Sequence, residues 1–142
     1  MARPVLDKRT NWQIFKDFFL KTYDETEKFA EEDIDKSALF APIAYLGILF
    51  FVPLLIRPKS AFAKYHANQG LVLLLTTIAA YAVIFLTGLL FNLVGLWIFT
   101  MCLFFVYNLF MIALIIIGAY NASSGYAKEL PLVGRFRIIK AL

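Results

Sequence analysis

Apolar and polar positions alternate at helical spacing early in the chain, then give way after residue 36 to long runs without charge. Trp12, Phe15, Phe19 and Tyr23 recur three or four residues apart, with Lys16, Asp17, Lys21 and Asp24 between them. That spacing predicts an amphipathic helix within 11–36, lying at the lipid headgroups with its aromatics down or packing on the protein's own loops. The stretch EEDIDK then reads as a solvated acidic connector. Residues 37–56, SALFAPIAYLGILFFVPLLI, carry no charge and as a helix would cover ~30 Å, the hydrocarbon thickness of a bilayer. Ser37 suits its N-cap, and Pro53 bends its end; a re-entrant hairpin is the alternative. Pro58 stops this element and Ser60 can cap the next, which spans from Leu71 to Phe91. Gly88, Asn92 and Gly95 supply a turn, and residues 96–120 span again. Without that turn, one helix from 71 to 120 would reach ~75 Å, more than twice a bilayer.

The expected fold is therefore an all-α integral membrane protein, three transmembrane helices preceded by an amphipathic helix. Its parts are a charged N-terminal segment (1–36), a three-span domain (37–120, spans about 38–56, 70–91 and 96–120) and a basic tail (121–142).

Charge sharpens that division. Nine of the ten acidic residues lie in 1–36, and from Tyr65 to Ala127 there is no Asp, Glu, Lys or Arg. Hydrophobic residues make up 61% of the chain, against roughly half in soluble domains. MARPVLDKRTNWQIF has no apolar core ahead of its first charges, so the first span is expected to act as the insertion signal. Arg57, Lys59 and Lys64 follow the first span, and Lys128, Arg135, Arg137 and Lys140 follow the third. Positive residues favour the cytoplasm, which puts both groups there and, with three spans, the N-terminus outside. These cations read as topology signals and headgroup contacts rather than nucleic-acid ligands. Cys102 is the single cysteine, which excludes an internal disulfide and any CxxC motif.

Polar residues cluster where the second helix enters the lipid, in KYHANQ (64–69). The unpaired first N–H groups of that helix, with Arg57, Lys59 and Lys64, could hold a lipid phosphate, and His66 could tune the charge near neutral pH. In the plainer reading Lys64 and His66 reach the interface while Asn68 and Gln69 bond the first helix or the C-terminal tail. The binding set for lipid or partner is then Arg57, Lys59, Lys64, His66, Asn68, Gln69, Arg135 and Arg137. Gln69, Thr76, Ala80 and Thr87 form a small and polar face on the second helix. Asn108 should point inward, toward that face or Tyr45. Packing is the expected role of this interhelical set.

FAKYHANQ (62–69), the preceding YDETEKFAEEDIDKSALFAPIAYLGILFFVPLLI and the closing GAYNASSGYAKELPLVGRFRII together resemble small bacterial membrane proteins. These are a domain-of-unknown-function class labelled import components and grouped with the Tic-Twenty-like family of the chloroplast inner envelope. The resemblance covers roughly residues 23–138. It implies a compact α-helical membrane domain and a part in protein translocation. Plant members have four spans, the first replaced here by the segment 11–36. The absence of a transit peptide points to a bacterial or archaeal plasma membrane.

The function expected is that of a non-enzymatic subunit or accessory of a membrane complex, with a protein partner or a second copy and no cofactor or metal. An anionic-lipid-binding or membrane-organising protein is the second reading, and an oligomeric transporter or channel the third. No intramembrane carboxylate pair, HExxH, GxSxG or Gly-rich phosphate loop occurs.

Overall fold

A computed structural model describes residues 22–140. Four α-helices form there: α1 (Glu31–Ser37), α2 (Val52–Ile56), α3 (Ala61–Leu93) and α4 (Trp97–Ser123). Three short 3-10 turns accompany them, at Thr26–Lys28, Ala41–Tyr45 and Gly47–Phe51. Among the described residues no strand forms beyond a single antiparallel bridge between Asp24 and Lys128.

Two helices, α3 and α4, are long and apolar enough to cross a membrane. At 33 residues α3 extends roughly 50 Å, longer than a 30 Å hydrocarbon core. Asn92, Gly95 and their neighbours turn the chain back, with Gly95 at φ +75°. Tyr81 on α3 donates a hydrogen bond to Asn108 Oδ1 on α4 at 2.8 Å, and its ring stacks on Phe104. Nearer the turn, Gly88 lets Thr100 approach closely. The outer face is apolar and uncovered: Leu93, Phe105 and Ile116 are all more than half exposed. In water such a surface would be unstable; in lipid it is solvated.

Residues 37–56 do not make the continuous first span that their composition suggested. Gly47 at φ +62° opens the second of two 3-10 turns, and α2 is only five residues long. Pro42 and Pro53 each lack an N–H, so an unbroken ladder of helix hydrogen bonds could not run through them. The segment goes out and returns: Ser37 Oγ and Ser60 Oγ lie 2.8 Å apart. Among the described residues two helices, and not three, are thus long and apolar enough to cross a membrane. Residues 23–25 lie at the same end of the hairpin as the C-terminal tail. Glu25 N donates to Ala127 O, and Glu129 N to Tyr23 O.

The returning loop is held by close packing. A methyl group on Gly70 would meet the Ala44 carbonyl oxygen at 1.9 Å, so the loop backbone rests directly on α3. Gly118 of α4 likewise leaves room for the Tyr45 ring. Ala41, Ala44, Tyr45, Phe62, Tyr65, Leu73, Met111, Leu114 and Phe29 close a buried core at this end of the hairpin.

The amphipathic helix expected in 11–36 is not a single helix in its described part. Residues 22–25 form no helix, and a 3-10 turn at Thr26–Lys28 precedes α1, which begins at Glu31. Trp12, Phe15 and Phe19 lie outside the described residues.

Candidate functional site

The polar residues of KYHANQ stand in the first three turns of α3, and the structure wraps the rest of the chain around them. Ser60 caps the helix by accepting from Ala63 N at 2.9 Å. Asp33, from α1, accepts from Phe62 N at 3.0 Å. Two of the N–H donors proposed for a lipid phosphate, those of Phe62 and Ala63, are thus met within the protein, one by a carboxylate. Arg57 and Lys64 are half-buried and Lys59 is exposed, each at the rim of this end. The carboxylate of Asp33 thus stands at the positive end of the α3 dipole, where the sequence suggested a phosphate.

His66 does not reach the interface. It is 0% exposed, its Nδ1 lies 2.8 Å from the Tyr45 hydroxyl, and the rings of Phe62, Tyr65 and Tyr45 surround it. This histidine joins the returning loop to α3 from within the core.

Asn68 and Gln69 are both buried, and both grip the tail. Asn68 Nδ2 donates to Phe136 O at 2.6 Å, while its Oδ1 accepts from Ile138 N and Ile139 N. Gln69 Nε2 donates to Gly134 O, and its Oε1 accepts from Leu130 N at 3.2 Å. A side-chain amide offers the same donor and acceptor as a peptide group, so the two residues act as a fixed docking edge for 130–139. Gln69 therefore bonds the tail and not a neighbouring span. Between these contacts Leu132 takes φ +67°, and Gly134 N closes the turn onto Leu130 O.

Ion pairs tie the tail to the segment ahead of α1. The Arg137 guanidinium reaches Glu25 and Glu129, each at 2.9 Å, and lies over the Tyr65 ring. Lys128 pairs with Asp24 at 3.7 Å and covers Tyr126. Bonds from Thr26, and the Lys128 charge, hold the Asp24 carboxyl below its usual range. Burial pushes the Glu129 carboxyl up, more than Arg137 draws it down. Arg135 is exposed and acts on Glu129 only through its charge.

The remaining interhelical candidates divide. Thr76 and Thr87 donate to carbonyls of their own helix, Val72 O and Val83 O, so they form no bond between spans. Asn108 does meet α3, but through Tyr81 instead of Tyr45 or the threonine face. Tyr45 turns to His66 because the returning loop never runs alongside Asn108. Sequence reasoning missed Asp33, Tyr81 and Glu129. Of these, Glu129 carried a signal, as the one acidic residue after the spans. Among the described residues no group of three or more His, Cys, Asp or Glu is arranged to hold a metal ion.

Residues 35–137 match the model of a family described as the magnetosome magnetite crystal formation protein family. The chain is 34% identical over 101 residues to magnetosome protein MamF of Paramagnetospirillum magneticum, covering 71% of this chain and 82% of the relative. It is 37% identical over 98 residues to magnetosome protein MamF of Magnetospirillum gryphiswaldense, covering 69% and 79%. No solved structure matches the chain. These matches overturn the Tic-Twenty-like, import-component assignment and the translocation role it implied. The physical reason is visible in Phe62–Gln69, on which that assignment leaned. Those residues take up the caps of Ser60 and Asp33, fill a core and clamp the tail, which describes an architecture and not an activity.

Proposed function

Since the chain belongs to the magnetosome magnetite crystal formation protein family, we propose that it is a magnetosome membrane protein that takes part in forming magnetite crystals. The observation that carries this reading is the extent of the match, residues 35–137, which takes in the returning loop, both spanning helices and the docked tail. Its action is non-enzymatic. Asn68, Gln69, Asp33 and Arg137 are all engaged in holding the protein's own segments together, which suits a scaffold.

It works with protein partners or further copies of itself in that membrane. Two helices that pack through Tyr81 and Asn108 enclose no polar path, so an isolated chain is no channel. The polar end, with Arg57, Lys59, Lys64, Arg135 and Arg137, faces the cytoplasm, and the uncharged turn between α3 and α4 faces the other side. The loop 37–60 dips into the membrane from the cytoplasmic side and returns.

The test is a fluorescent fusion expressed in Magnetospirillum gryphiswaldense lacking its own MamF. Fluorescence should gather along the magnetosomes, and the crystal size distribution in electron micrographs should shift against an empty-vector strain. Uniform envelope fluorescence together with unaltered crystals would remove the proposal.

A further inference from the structure

Between the docked tail and α3 runs a groove of about 300 Å³, lined by Val72, Leu75, Thr76 and Ala79 on the helix and by Phe136 and Ile138 on the tail. We propose that this groove seats an acyl chain of a membrane phospholipid, which makes the docked tail a lipid-contacting element.

Three observations lead there. The walls offer nothing to a polar ligand: apart from Thr76 they are apolar, and the Thr76 hydroxyl donates to Val72 O of its own helix. The tail side chains, next, are bare although their backbone is fixed. Phe136 is 64% exposed and Ile138 54%, while Asn68 bonds Phe136 O and Ile138 N, so neither can turn away from the surface. Arg137, between them, reaches the other way to Glu25 and Glu129. Apolar side chains held in the open are at ease where lipid surrounds them and costly in water. Finally, the groove runs without a break into the lipid-facing side of α3. Leu75 and Ala79 continue at helical spacing through Val83, Leu86 and Leu90, all of them exposed. The depth agrees. About twenty helical residues cross a ~30 Å core, and counted back from the end of α3 at Leu93 they reach the level of Leu74, beside the groove. An acyl chain needs no hydrogen bond and can lie along that stripe of the helix.

The experiment puts an indole in the groove: Phe136→Trp in the full chain carrying Trp12→Phe and Trp97→Phe, held in phosphatidylcholine nanodiscs, whose two faces are both open to water. Phosphatidylcholine brominated on its acyl chains should remove most of the emission, and aqueous iodide should remove little. Adding Asn68→Leu, which frees the tail, should reverse that order. Ile138→Trp, on the same wall, is the second reporter and decides the matter if Phe136→Trp fails to fold. Strong quenching by iodide in the docked chain would put the groove in water and overturn the proposal. Protection from both quenchers would put a second copy or another protein there, and would overturn it equally. Bromine quenching that survives Asn68→Leu would mean that the ring meets lipid without the groove, and the seat would be lost. None of these readouts depends on crystal formation.

Discussion

At Gly70 the ordinary ranking of helix residues is reversed. In an exposed helix interior, alanine in place of glycine gains about 1 kcal/mol. Here the new methyl would sit 1.9 Å from the Ala44 carbonyl oxygen, and that atom belongs to backbone, which cannot swing aside. Gly70→Ala should therefore destabilise the protein by about 1–3 kcal/mol, as overpacking does elsewhere. A lower melting temperature in detergent than wild type checks it; an equal or higher one would mean the loop does not rest on α3. Tyr45 shows the same dependence on small neighbours, since its ring fills the space beside Gly118 and its hydroxyl meets His66. Each of these contacts joins residues at least 21 positions apart.

At the scale of elements the tail is the clearest case. Residues 130–139 have no helix or strand of their own, and their order comes from two amide side chains. Asn68→Leu removes three hydrogen bonds and leaves the backbone groups of Phe136, Ile138 and Ile139 without those partners. Limited trypsin digestion should then cut at Arg135 or Arg137 at least about tenfold faster than in wild type, with α3 and α4 still protected. The same element carries a pH dependence. Burial raises the Glu129 pKa above its ordinary 4.5, so the folded state binds more protons than the unfolded state within that window. Its contribution to stability is full below 4.5 and is lost as pH rises from 4.5 through the raised value. Glu129→Gln should remove this part of the slope in melting temperature against pH. Asp24, held low by Thr26 and Lys128, has the opposite sign and loses its contribution as pH falls below the ordinary 3.8.

For the whole molecule, the consequence to test is the number of crossings. In a Cys102→Ala background, Lys28→Cys, Lys59→Cys and Lys140→Cys should all react with a membrane-impermeant maleimide from one face. Val94→Cys should react only from the other. Labelling of Lys28→Cys on the face opposite Lys140→Cys would restore a third span and break the arrangement in which Glu25 pairs with Arg137. The same arrangement explains how the chain divides its chemistry. Apolar side chains face outward along α3 and α4, and polar groups gather at one end, where three separate segments of the chain meet.

Much of this could be read from the residues alone. A 63-residue stretch without charge, from Tyr65 to Ala127, requires lipid, and the glycines and Asn92 within it require a hairpin. Ser60 is legible as a cap because capping is a local matter between a side chain and the next turn. The fate of residues 37–56 was not legible to the same degree. Their length and composition fit a span, while two prolines and Gly47 permit a turn back, and the outcome rests on whether α3 and α4 offer a surface to receive them. Gly70 and Gly118 provide that surface, an agreement between residues dozens of positions apart. The tertiary structure likewise decided that Asn68 and Gln69 hold the tail, that Asp33 stands at the positive end of α3, and that an apolar groove opens between the tail and α3. Hydropathy acts residue by residue and survives in the sequence, whereas hydrogen-bond partners and shape complementarity exist only once distant segments have met.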